Sequence, residues 1–183
     1  MTVSGLRELI AVLLLVCLTA CGGDGPPDPT EESPMSPSAV PGLSVRDALE
    51  IAQDRARDSL GLWGPNATLS PISGEAHAVW CSDLSTPPDG TPVLVEATYV
   101  IRDMEPAPGP GSRDQFIDDF VAHWSDQGWT ESFRRDNGEG RVVAMEMDGY
   151  VLNLSLDVKN GITVSTPCVE GKPHAIPIDD LTR

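Results

Sequence analysis

From Trp129 to Cys168 the chain repeats one pattern, a run of alternating apolar residues followed by a turn. Asp136-Asn137-Gly138, Asp148-Gly149 and Lys159-Asn160-Gly161 are spaced at strand lengths. Their Asn and Gly residues accept the positive φ angles that tight hairpins need. Val143, Met145 and Met147 share one side of the strand between the first two turns. Leu152, Leu154, Leu156 and Val158 share a side of the next, with Asn153, Ser155 and Asp157 opposite. Ile162, Val164, Thr166 and Cys168 finish the series. A period of two across successive short runs fits an antiparallel meander and excludes helices there.

The stretch before the meander supplies its covering layer. Ser44, with Asp47 three residues on, reads as a helix start. Val45, Ala48, Leu49, Ala52, Ala56 and Leu60 follow at helical spacing, and Gly61 is the expected stop. Glu75 to Cys81 reads as a strand, and Val93, Val95, Ala97, Tyr99 and Ile101 alternate cleanly with Glu96, Thr98 and Arg102. After a Pro- and Gly-rich loop from Met104 to Gly111, Ser112 and Gln115 form a second capping box. Phe116, Ile117, Phe120, Val121 and Trp124 make that helix's apolar stripe. Gly128 at a left-handed position after the helix would bring Trp129 onto Trp124 in a Schellman ending. The expected architecture is α+β, two-layer, with two helices on one face of a mainly antiparallel sheet of five or six strands. The domain is expected over residues 44–178, with a polar tail at 179–183 and a loosely held chain from Val169.

The first 43 residues belong to a different regime. Leu9 to Leu18 is an apolar run preceded by Arg7, the length of a secretory core and too short to cross a bilayer as a helix. Leu18-Thr19-Ala20-Cys21 ends it, and this string resembles the bacterial lipoprotein signal. The resemblance implies cleavage after residue 20 and a diacylglyceryl thioether on Cys21, with acyl chains such as palmitate holding the protein on the plasma membrane's outer face. Several acyl chains give stable anchoring where one does not, since each buried methylene contributes ~0.8 kcal/mol. Residues 21–43 carry Pro26, Pro27, Pro29, Pro34, Pro37 and Pro41 with few apolar residues, the composition of a tether. Such a segment spans about 25 Å as a flexible coil and about 65 Å as extended polyproline.

Export sets the reading of the cysteines. On that resemblance Cys17 would be discarded with the signal and Cys21 would carry lipid, which leaves Cys81 and Cys168 as one pair in an oxidising compartment. A disulfide is expected, joining the ends of an early and a late strand. The helical segment ending His123-Trp124-Ser125-Asp126-Gln127-Gly128-Trp129, the Asp148-Gly149-Tyr150 turn and the closing Ser165-Thr166-Pro167-Cys168 resemble small, uncharacterised actinobacterial lipoproteins. That resemblance implies an anchored α+β domain and carries no activity with it.

A formal charge of −16 would repel nucleic acid and anionic lipid headgroups, which excludes both as partners of the domain surface. No GxSxG, SxxK or HExxH motif is present, and Gly171-Lys172 lacks the upstream glycine of a phosphate loop. Asp119 and His123, four residues apart, are neighbours on a helix and are weak candidates for a metal site. Trp63, in a Leu-Trp-Gly-Pro loop, and Trp80, beside Cys81, are the aromatic residues open to a binding role.

These features favour a non-enzymatic binding or accessory lipoprotein at the cell envelope, without a cofactor. Its expected partners are the membrane, through Cys21, and an envelope protein or wall component. The alternatives are an envelope hydrolase whose site is assembled only by the fold, and a small-ligand or metal-binding lipoprotein.

Overall fold

The computed structural model describes residues 38–182 except 83–86, 106, 108, 110, 137–139 and 158. The apolar run, Cys21 and most of the tether lie outside the described residues. Ser44 opens helix α1 (Val45–Asp58), and its Oγ accepts the Asp47 N–H at 3.2 Å. Ala48, Leu49, Ala52 and Ala56 form the buried side of α1, and the three alanines let the helix lie close to its neighbours. Gly61 does not end this helix. The chain tightens into a 3-10 turn at Ser59–Leu62, where buried Ser59 accepts a 3.2 Å hydrogen bond from Trp124 Nε1.

Strands β1 (Thr68–Pro71), β2 (Glu75–Trp80) and β3 (Val93–Arg102) follow, and then helix α2 (Arg113–Asp126). The meander is β4 (Thr130–Asp136), β5 (Arg141–Met147), β6 (Tyr150–Leu156) and β7 (Gly161–Ser165), and β8 (His174–Pro177) closes the series. The expected class, α+β with an antiparallel sheet and two helices, is present, but the sheet has eight strands rather than five or six. Its order is β4-β5-β6-β7-β3-β2-β8, with β1 also on β3, beyond the end of β2. The added strands are β1 and β8, each only four residues long and too short to show an alternation of their own.

The tail from Val169 is bound rather than loose. His174–Pro177 pairs with β2, and Leu69 and Leu181 exchange backbone hydrogen bonds of 2.9 and 2.8 Å. Ile178 and Leu181 are buried, because two apolar side chains in a polar segment are enough to dock it. At the other end, the Val40 N–H donates to the Cys168 carbonyl at 2.8 Å, so ordered chain begins before Ser44.

Helix α2 starts without the expected box. Ser112 Oγ accepts the Gly109 N–H at 2.8 Å, and Gln115 Nε2 reaches forward to Asp119 at 2.6 Å. Its ending is as expected: Gly128 has φ +89°, its N–H reaches Ser125 O, and the Trp129 N–H reaches Trp124 O at 3.0 Å. The two indoles then meet edge-on with ring centroids 4.9 Å apart. Asp148 and Gly149 both have positive φ, the signature of the two-residue hairpin between β5 and β6.

Register sorts the strands into two faces. Val95, Ala97 and Tyr99 of β3 align with Val164 and Ile162 of β7, Leu152 and Leu154 of β6, and Val143 and Met145 of β5, and all are buried. Helix α1 packs over β3 and β7, and α2 over β4 and β5. Gln53 Nε2 donates to Tyr99 Oη at 2.8 Å, and the Arg55 guanidinium sits 5.0 and 5.1 Å from the rings of Trp129 and Tyr150. Among the described residues no helix is long and apolar enough to cross a membrane.

Candidate functional site

Cys81 and Cys168 form the expected disulfide, with Cα atoms 6.0 Å apart, just beyond the ends of β2 and β7. Trp63 does not serve as an exposed anchor. Its ring is fully buried and stacks on Phe120, because the 3-10 turn folds the loop inward beneath α2. Trp80 is half-buried at the last position of β2, packed on the margin of the core.

Asp119 and His123 do not converge. Asp119 accepts from Gln115, whereas His123 Nε2 lies 3.3 Å from Asp58 of α1 and 2.9 Å from Gln127 Nε2. His123 therefore ties the end of α2 to the end of α1. Among the described residues no group of three or more His, Cys, Asp or Glu side chains is arranged to hold a metal ion.

The second face of the sheet is the distinctive surface. One row across it, read from the register, runs Phe133, Ala144, Asn153, Thr163, Thr98. The next runs Arg135, Val142, Ser155, Gly161, Val100. Thr98 Oγ1 and Thr163 Oγ1 are 3.1 Å apart and share a hydrogen bond. Register shifts between Glu131 and Phe133, and such bulges re-aim the side chains beside them. Phe133 is left 48% exposed and Ile72, whose N–H donates to the Thr98 carbonyl, 60% exposed.

A shallow cavity of about 290 Å³ lies on these rows. Thr98, Thr163, Asn153 and Ser155 give it hydroxyl and amide groups, and Val100, Val142 and Ile72 give it apolar patches. Arg135 and Lys159 stand at its edge. No histidine or carboxylate is among the described lining residues, so the chemistry offered is recognition by hydrogen bonds, apolar contact and positive charge.

Charge on the neighbouring strands differs by face. Arg134 holds Glu131 through two 2.9 Å hydrogen bonds and reaches Asp118 of α2 at 3.1 Å. The Arg134 hydrogen bond holds the Glu131 carboxyl below its ordinary pKa, and the Glu131 and Asp118 bonds raise that of Arg134. Arg141 bonds Asp114 of α2 at 2.7 Å and also pairs with Asp136, so its pKa is raised too. Arg135, on the opposite side of β4, has no carboxylate partner among the described residues.

Sequence reasoning places Thr98, Asn153 and Ser155 on the outward sides of their strands but does not bring them together, because strand order is invisible in the alternation. No family model, no curated protein and no solved structure matches this chain.

Proposed function

We propose that this chain is a membrane-anchored, extracytoplasmic lipoprotein whose domain acts as a binding or accessory module at the cell envelope. The observation that carries the reading is Leu18-Thr19-Ala20-Cys21 at the end of the apolar run, followed by the proline-rich tether. The disulfide between Cys81 and Cys168 supports it, since such bonds persist in oxidising compartments. In this reading the domain is two-layered. Both helices cover the apolar side of the sheet, and the other side is left for a partner. A shallow, open hollow suits an extended partner better than a small molecule that must be enclosed.

The test is fractionation of the producing cells combined with crosslinking at the membrane. The wild-type chain is expected in the membrane fraction and in a specific crosslinked complex with an envelope component. Cys21→Ala is expected to release it and to lose that complex. Unchanged membrane partitioning of Cys21→Ala would refute the lipid anchor.

A further inference from the structure

Resting on the binding role above, we infer that the open face of the sheet recognises an acidic saccharide, a sugar segment that carries a carboxylate or phosphate. Three groups of side chains on one surface point to that chemistry. The first is the polar floor. Thr98, Thr163, Asn153 and Ser155 lie in adjacent register positions and offer both donors and acceptors, which is what a run of sugar hydroxyls requires.

The second group is apolar. Phe133 stands two residues from Arg135 on the same side of β4 and exposes nearly half of its surface to water. It shares its row with buried Ala144 and, one strand further on, Asn153. Within the hollow itself the apolar patches come from Val100, Val142 and Ile72. A sugar ring has one C–H face and a rim of hydroxyls, and an exposed ring beside hydroxyl and amide groups matches both.

The third group gives the sign of the charge. The chain carries only 12 Lys and Arg against 28 Asp and Glu, yet Arg135 and Lys159 both line this hollow. Arg102 is exposed on the same side of β3, two residues beyond Val100. An acid lies at this end too: Asp157 accepts the Lys159 backbone N–H at 2.7 Å and lies 3.3 Å from Ser155 Oγ. Glu96 and Glu146 lie on the row at the far side of Thr98 and Asn153 from the cations. Arg135, Lys159 and Arg102 thus gather at one end of the rows and Glu96 and Glu146 at the other, so an acidic group on the sugar is drawn towards the Arg135 end. A nucleic acid, with charge at every residue, would run into Glu96 and Glu146.

The test is NMR shift mapping on the full-length chain in detergent micelles, with trigalacturonate, glucose 6-phosphate, maltotriose and inorganic phosphate as probes. An acidic sugar, trigalacturonate or glucose 6-phosphate, is expected to shift the amides of Thr98, Asn153, Ser155 and Thr163 saturably. Maltotriose and inorganic phosphate are expected to bind at least ~10-fold more weakly, the loss of one charge-assisted hydrogen bond or of the ring contact. Arg135→Ala and Lys159→Ala should each weaken the acidic sugar by ~10-fold, and Phe133→Ala by ~5-fold, with thermal midpoints close to wild type. The inference is overturned if neither acidic sugar shifts these amides, if maltotriose or phosphate binds as well, or if both cation variants bind undiminished. Such a failure alongside an intact crosslinked envelope complex would remove the saccharide and leave the accessory role standing. Membrane release of wild type would remove that role whatever the hollow binds.

Discussion

Trp63 lies nearly parallel to Phe120, with ring centroids 6.5 Å apart and planes inclined by 11°. Phe120 in turn meets Trp124 edge-on at 6.4 Å, and Trp124 meets Trp129. The chain of rings connects the 3-10 turn after α1, the buried side of α2 and the first residue beyond it. Trp63→Ala removes its first member and leaves a cavity, which should cost about 3–5 kcal/mol. Urea unfolding followed by circular dichroism would check this, and a loss under about 1 kcal/mol would be inconsistent with the burial.

The disulfide closes a loop of 87 residues in sequence separation. In the chain-entropy account a loop that long contributes about 4–5 kcal/mol. The Cys81→Ala, Cys168→Ala double variant should therefore lose several kcal/mol relative to the oxidised protein. Adding reductant to wild type should lower its urea midpoint towards that of the variant, and should leave the variant unmoved.

Gly149 combines two constraints. Its φ is +78°, and a Cβ there would lie 2.9 Å from Pro167 Cβ. Gly149→Ala should destabilise the domain by about 1–3 kcal/mol, whereas Gly74→Ala, at similar φ but with open space around it, should cost about 1 kcal/mol from the backbone alone. Comparable losses at the two sites would show that the hairpin does not press on Pro167.

The Arg134–Glu131 pair makes a directional pH prediction. Because the hydrogen bond from Arg134 lowers the folded Glu131 pKa, the unfolded state binds more protons in the acid range. Stability from this group is present above the unfolded carboxylate pKa and lost as pH falls through the folded value. The pair is partly exposed to solvent, which screens it, so the effect should stay below about 1 kcal/mol. Glu131→Gln should reduce the drop in urea midpoint between neutral and acid pH without abolishing it, since other carboxylates remain.

How much of the fold is legible in the sequence depends on how local each cause is. The Schellman ending at Gly128, the Asp148-Gly149 hairpin and the alternation of β3 are local, and each follows from residues within a few positions of one another. The start of α2 is also local, yet it departs from the expected capping box, because Ser112 Oγ bonds Gly109 rather than the helix. The burial of Trp63 is not legible in its own loop, because its environment is set by Phe120, far along the chain. The open face was half visible. Alternation placed Thr98 and Asn153 outward, but only strand order places β7 between β3 and β6 and so gathers Thr98, Thr163 and Asn153 into one row. Phe133 and Arg135 give no signal in the sequence, since every residue of β4 is exposed and its sequence shows no clean alternation.

The place of β3 beside β7 also governs when the domain can assemble. Thr98 and Thr163, partners across that junction, are 65 residues apart in sequence, and the buried hydrogen bond that the Val95 N–H donates to Thr166 Oγ1 spans 71. Strand β3 is made early, but its second edge stays open until nearly all of the meander exists. Helix α2 and strands β4 to β6 can collapse by local contacts without it. Joining the two halves requires closing a long loop, so folding should be slow for a domain of this size and limited by one late docking event.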